Sequence, residues 1–222
     1  MHLTFETLRN TNLNIHVIGA SAVEGSAIAR FLFSMGAKHV TLHDFCEHKE
    51  FNKRFLSFHN GVEKRTELLQ FMKKLPYQIH FSSSYLANIE EAELIFLPQA
   101  WYKYDFNFPQ LSAVVEKGKV AISTMVDLCL QLFPGKTIGV TGTHGKTTVT
   151  RLITHVLKSS GENAFTAGNE RHSEQLLSLL ADKKGINKND LLILEISNRQ
   201  LKIPFEKYPD IAVITNIYPN HL

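Results

Sequence analysis

The stretch from Thr137 to Leu157 constrains this chain more than any other. A β-branched run, Ile138 to Thr141, breaks into the turn Gly142-Thr-His-Gly145, and the turn opens a segment with apolar residues at Val149, Leu152, Ile153, Val156 and Leu157. The spacing i, i+3, i+4, i+7, i+8 is that of an amphipathic helix, so the stretch reads strand, tight turn, helix. In that order the unpaired amides of the turn and the positive end of the helix dipole converge, which suits a polyphosphate. Gly142, Thr143, His144, Gly145, Lys146, Thr147 and Thr148 are the candidate anion-binding residues. Lys146 would reach the terminal phosphates, and the Thr147 hydroxyl would sit on Mg²⁺. The strict phosphate-loop pattern asks for glycine where this chain has Val140, so the match is the shorter Gly-x-x-Gly-Lys-Thr-Thr. A plain strand-helix turn is the alternative reading.

At 222 residues the chain has room for two α/β units, since a domain takes roughly 100–200 residues. A net charge of +3 with dispersed Lys and Arg gives no call for nucleic acid; Lys73-Lys74 and Lys183-Lys184 read as solvated helix surface. Met1-His-Leu-Thr-Phe-Glu6 lacks a basic region followed by an apolar core, and no apolar run approaches the roughly 18 residues of a membrane span. A cytoplasmic monomer without membrane contact is the expectation. Cys46 and Cys129 have neither metal nor redox spacing and read as buried or idle thiols.

Strand and helix patterns alternate along the rest of the chain, which predicts an α/β fold with parallel sheets. Asn14 to Gly19 reads as a strand entering a glycine turn, Ser26 to Met35 as a helix ended by Gly36, and His39 to Asp44 as the next strand. This is a Rossmann-like opening, but Gly19-Ala-Ser-Ala-Val-Glu-Gly25 lacks the dinucleotide fingerprint. Asp44, at the second strand's tip, would bind a ribose or uracil group or merely terminate the strand. Residues 47–61 read as loop or irregular helix, Val62 to Leu75 as helix, and Gln78–Phe81, Leu94 to Leu97 and Val120 to Ile122 as strands. Helices are predicted over Phe108 to Lys117, Met125 to Leu132 and Ser173 to Asp182. The aromatic stretch Trp101 to Phe108 suggests packing or a partner surface. Phe133-Pro-Gly-Lys136 is the predicted boundary between domains 1–133 and 134–222.

Two further strands, Leu191 to Ile196 and Ile211 to Asn216, bring polar groups to their carboxyl ends. Glu195 ends an apolar strand, where a carboxylate is costly to bury without a cation such as Mg²⁺, though it would also serve facing solvent. His221 follows the other strand through Asn216-Ile-Tyr-Pro-Asn220.

Thr141 to Thr148, Leu194-Glu-Ile-Ser-Asn-Arg-Gln-Leu201 and Asn216-Ile-Tyr-Pro-Asn-His221 resemble, in order and spacing, the ATP-site motifs of the Mur ligase family, most of all its D-glutamate-adding branch. The resemblance implies a Rossmann-like UDP-substrate domain followed by part of a phosphate-loop ATP domain, and ATP-dependent amide formation through an acyl phosphate in peptidoglycan precursor synthesis. It implies that Lys146 and His221 are catalytic, and that Thr147, Glu195 and His221 hold Mg²⁺. By the same resemblance Asn169, Ser197 and Gln200 lie near a UDP-linked muramoyl substrate to which an amino acid is added; Asp44 joins the candidate substrate residues on its place at the strand tip alone. The family's loop after the fourth strand is replaced by Leu97-Pro-Gln-Ala-Trp101, its Phe by Arg199 and its Asp by Asn220. Its carbamylated lysine and acceptor domain have no counterpart before Leu222, so this chain is expected not to complete a ligase cycle alone. The alternatives are an alanine-adding or folylpolyglutamate-type ligase of the same superfamily, or a ligase-derived nucleotide-binding module without chemistry.

Overall fold

The computed structural model describes residues 1–9, 12–101, 108–117, 120–168, 173–182 and 185–219. The chain separates into two compact units, Leu3–Thr124 and Met125–Leu222. In the first, α1 (Phe5–Arg9), β1 (Ile15–Ile18), α2 (Val23–Met35), β2 (Val40–Asp44), α3 (Phe51–Phe58), α4 (Arg65–Lys74), β3 (Gln78–Phe81), β4 (Leu94–Phe96), α5 (Phe108–Glu116) and β5 (Ala121–Ser123) follow in order. Their strands form one parallel sheet in the order β3-β2-β1-β4-β5, the doubly wound arrangement whose strand order reverses between β1 and β4. The second unit holds α6 (Met125–Leu132), β6 (Lys136–Thr141), α7 (Lys146–Ser159), β7 (Ala164–Gly168), α8 (Ser173–Asp182), β8 (Leu191–Glu195) and β9 (Ile211–Ile214), with a parallel sheet ordered β7-β8-β6-β9.

Most predicted elements stand within a few residues of their expected bounds. Three findings differ. Residues 51–58, expected as loop or irregular helix, form α3, because Phe51 and Phe55 turn one face inward onto the unit while Asn52 and Lys53 stay outside. β7 was not expected: Ala-Phe-Thr-Ala-Gly is short and follows the turn at Gly161, yet it lies in register along β8 from Ala164↔Leu191 to Gly168↔Glu195. The chain parts after Thr124, and not at Phe133-Pro-Gly, because α6 packs on α8 and β7. Asp127 in α6, itself buried, accepts the Glu206 N–H at 2.9 Å and the Gln131 side-chain amide at 2.8 Å, which ties that helix into the second unit.

A parallel sheet covered on both faces calls for apolar strands, and β1, β4 and β8 are buried almost throughout. His16 of β1 and His43 of β2 are buried polar residues of the first sheet, 1% and 0% exposed. The Leu86 N–H donates to His43 Nδ1 at 3.2 Å, so the His43 proton sits on Nε2 and is donated to His16 Nδ1 at 2.9 Å. His80 stacks on the outer side of His43. Burial pushes the His43 imidazole down to about 3 and the His16 imidazole down to about 4, each aided by a neighbouring histidine. Both cysteines are buried free thiols, as expected, and burial pushes each up to about 12.

The predicted apolar face of α7 is rotated in the structure. Val149, Ile153 and Leu157 pack on Val140, Ala164 and Ile193, but Leu152 and Val156 are more than half exposed. Thr150 and Thr154 take the inward places. The Thr154 hydroxyl donates to the Thr150 carbonyl at 2.8 Å and lies 3.0 Å from the Thr166 hydroxyl of β7, so a polar residue is satisfied under the helix. Among the described residues no helix is long and apolar enough to cross a membrane.

Candidate functional site

Parallel pairing of β6 with β8 aligns Val140 with Glu195, which sets the carboxylate beside the mouth of the loop that follows β6. The loop is shaped by what surrounds it. Gly142 has φ 138°, and a Cβ there would stand 2.2 Å from the Thr215 hydroxyl and 2.9 Å from the Asn216 carbonyl, so only glycine lets the segment after β9 close on the loop. That segment then clamps it. Asn216 accepts the Thr143 N–H on its carbonyl at 3.0 Å and the His144 N–H on Oδ1 at 3.0 Å. Its side-chain amide and the Thr215 hydroxyl both donate to the His144 carbonyl, at 3.0 and 2.6 Å. Tyr218 exchanges hydrogen bonds with the Thr143 hydroxyl at 3.0 and 3.2 Å.

The clamp narrows the expected donor set. The Thr143 and His144 amides, expected to face an anion, are consumed by Asn216, and the His144 ring sits exposed beside Tyr218. The groups left to meet an anion are those at the start of α7. The amides of Lys146, Thr147 and Thr148 open the helix with no carbonyl one turn behind them, and Gly145 holds the entry in the left-handed conformation at φ 80°. The Lys146 ammonium folds over the loop and donates to the Gly142 and Thr143 carbonyls at 2.7 and 3.1 Å.

Behind the lysine, the Thr147 hydroxyl donates to Glu195 Oε2 at 2.8 Å. Glu195 is 4% exposed. A hydroxyl and a carboxylate in contact, next to the start of a helix, form the hard-oxygen pair that Mg²⁺ prefers, and a magnesium ion commonly uses only one or two protein carboxylates. The residues present thus fit a magnesium-bound polyphosphate: an ammonium, three helix-start amides, and an oxygen pair held in place by the β6–β8 register. An open cavity of about 350 Å³ lies in front, lined by Lys146, Asn198, Leu201, Ile214, Asn216 and Ile217 among others.

Three more expected site residues have structural tasks. Ser197 and Gln200 form a capping box on the short 3-10 turn Gln200–Lys202: the Ser197 N–H donates to Gln200 Oε1 at 2.7 Å, and the Gln200 N–H donates to Ser197 Oγ at 3.3 Å. Asp44 is 1% exposed, and its carboxylate accepts the Ser21 N–H at 2.7 Å and the Cys46 N–H at 3.2 Å, which joins the turns after β1 and β2. Both hydrogen bonds belong to its strand-end role. Asn169 and His221 lie outside the described residues, as do Lys183-Lys184 and residues 102–107 of the aromatic stretch. Sequence reasoning missed Thr215 and Asn216 as the clamp; the signal was a Thr-Asn pair directly after an apolar strand neighbouring the loop strand.

Comparisons with known proteins bear on the same stretch. Residues 140–222 match the family described as the Mur ligase middle domain. The chain is 43% identical over 109 residues to UDP-N-acetylmuramoylalanine--D-glutamate ligase of Leuconostoc mesenteroides, a match taking in 48% of this chain and 23% of that protein. It is 33% identical over 162 residues to the enzyme of the same name from Symbiobacterium thermophilum, covering 73% of this chain and 33% of that one. The chain thus spans between about a quarter and a third of the length of these relatives. A solved structure, UDP-N-acetylmuramate:L-alanyl-gamma-D-glutamyl-meso-diaminopimelate ligase from Neisseria meningitides, overlaps 94% of this chain and 62% of its own at 14% identity, with a TM-score of 0.47.

Proposed function

We propose that this chain, whose residues 140–222 belong to the Mur ligase middle-domain family, carries the ATP-handling half of a cytoplasmic ligase. The ligase joins an amino acid, D-glutamate by analogy with the relatives' names, to a UDP-linked muramoyl acid in peptidoglycan precursor synthesis. Magnesium-bound ATP supplies a phosphoryl group that activates a carboxylate for attack by an amine. The chain's own residues contribute position and charge, which dominate the catalysis of phosphoryl transfer. Lys146 trades its two loop carbonyls for phosphate oxygens, a charge-assisted exchange that leaves the clamped loop unchanged. The amides of Lys146, Thr147 and Thr148 hold the phosphate chain at the positive end of α7. Thr147 and Glu195 would hold the metal, and their hydrogen bond places the hydroxyl and the carboxylate side by side for it. His221 is proposed as a further metal and catalytic group, and Asn169 as a substrate contact, on the motif resemblance alone.

The observation that carries this reading is the contact between Thr147 and Glu195 directly behind Lys146, since 48 residues separate the two and only the pairing of β6 with β8 together with the turn into α7 brings them together. Calorimetric titration with Mg·ATP tests it. Lys146→Ala should weaken binding by about 100-fold or more, in line with loss of a charged hydrogen-bond donor to phosphate at about 1.5–3 kcal/mol plus its Coulombic share. Unchanged affinity would leave the site without its phosphate reader.

A further inference from the structure

The first unit has its own strand-turn-helix junction, between β1 and α2, at the place where the strand order reverses and where doubly wound sheets take their ligands. Here the lips of the crevice touch. Gly19 and Ala20 donate their amides to the His43 carbonyl at 2.8 and 3.0 Å, Ser21 donates to Asp44 Oδ2 at 2.7 Å, and Ala22 to the Gly19 carbonyl at 2.9 Å, so the whole turn is satisfied from within. Glu24, in the first turn of α2, reaches across to the loop after β4, where its Oε2 accepts the Gln99 N–H at 2.8 Å. Pro98 of that loop sits 3.4 Å from where a Cβ on Gly19 would stand. Glu24 is the second residue of α2, and helical side chains lean toward the amino end, the end that also favours a phosphate. Burial of the carboxyl end pushes Glu24 up to about 7, against the pull of the Gln99 amide, while the residue as a whole stays partly exposed.

We infer that Glu24 is a latch that determines specificity in the first unit: bridged to Gln99, it fills the anion position of the crevice with a side chain of the protein and keeps phosphate-bearing ligands off the amino terminus of α2. Two effects act together, occupation of the space and like-charge repulsion. A UDP-linked substrate of the kind proposed above must displace Glu24 from Gln99 before its diphosphate reaches the helix. The latch does not depend on the nucleotide reading of the second unit, because every residue in it belongs to the first.

The two effects separate in two variants of the full chain. Glu24→Gln keeps the shape and removes the charge, and Glu24→Ala removes both. The probe is a UDP-sugar, whose diester phosphates keep a constant charge near neutrality, titrated at pH 8 in a Lys146→Ala background so that heat from the second unit's phosphate site does not contribute. Affinity should rise from wild type at position 24 to Gln to Ala, with about tenfold or more between the ends. Wild-type binding as tight as that of either variant, or no measurable binding by any of the three, overturns the latch. Melting curves run alongside separate this outcome from misfolding. Glu24→Gln should melt no lower than the parent because it relieves a buried charge, and it carries the test if Glu24→Ala does not fold.

Discussion

The turn after β1 and the loop after β6 are the same device put to opposite uses. Each lets a parallel strand pass through glycines into a helix, and each has a neighbouring strand delivering an acid to its mouth, Asp44 from β2 and Glu195 from β8. In the first unit the acid accepts a turn amide and a second acid, Glu24, stands on the helix, so the positive end of α2 is answered by the protein itself. In the second unit the acid meets a hydroxyl, the helix opens on a lysine, and the three leading amides of α7 lack a carbonyl one turn behind. Topology supplies a crevice in both places. The first turn of the helix carries opposite charges in the two places, Glu24 in one and Lys146 in the other.

Three experiments would sharpen or break this comparison. The largest effects should come from the glycines that let each junction close. An added methyl at Gly25 would stand 2.2 Å from the Gly19 carbonyl, and one at Gly142 equally close to the Thr215 hydroxyl. Gly25→Ala and Gly142→Ala should each cost about 1–3 kcal/mol through forced backbone shifts, read as a fall in the denaturation midpoint. Only Gly142→Ala should also lose Mg·ATP affinity. Equal loss in both would mean that the two junctions are not independent.

Acid should separate the units next. The His16 and His43 imidazoles have folded values of about 4 and about 3, below the ordinary 6.5, so between those limits the unfolded chain binds more protons than the folded one. Stability from this pair is complete above about pH 6.5 and falls as pH drops toward 4 and then 3. In the second unit Asp210, held low by hydrogen bonds from the Thr137 amide and hydroxyl, contributes above its ordinary 3.8 and loses that contribution only in stronger acid. Glu24, raised to about 7, takes up a proton in the folded chain over the same range and opposes the histidines, so the comparison is made in Glu24→Gln. The single tryptophan, Trp101, belongs to the first unit, so its fluorescence in that variant should report a denaturant midpoint that falls measurably from pH 7 to pH 5. Hydrogen exchange in β6 and β8 should change little over that range. A midpoint independent of pH would show that the histidines are not held neutral.

The smallest effect concerns the oxygen pair. Thr147→Val keeps the shape and removes one donor to Glu195, which has a further partner, so it should destabilise the chain by about 0.5–1.5 kcal/mol, the net loss of one hydrogen bond. Mg·ATP affinity should drop about tenfold while metal-free ATP binding stays near wild type. Equal loss with and without magnesium would take Thr147 out of the metal site and leave it a packing residue.

Part of this was legible before any coordinates. The alternation of β-branched runs with helical periods specified α/β units with parallel sheets, and strand ends named Lys146, Thr147 and Glu195 as neighbours, because all parallel strands deliver their last residues to one edge. The match of residues 140–222 to the Mur ligase middle domain agrees with the motif resemblance. The UDP-linked substrate remains a proposal, and the first unit's crevice is where it meets resistance.

What sequence determined was the apolar pattern and the chemistry available at strand ends, since hydrophobic periodicity is a local property of the chain. Tertiary structure alone decided which polar groups were already spoken for. The rotation of α7 that buries Thr150 and Thr154 depends on a hydroxyl in β7, the loss of the Thr143 and His144 amides depends on Asn216 more than 70 residues away, and the closure of the first crevice depends on a backbone amide 75 residues from Glu24. A hydrogen bond is satisfied by any partner that folding brings within about 3 Å, and periodicity carries no record of partners so distant in the chain.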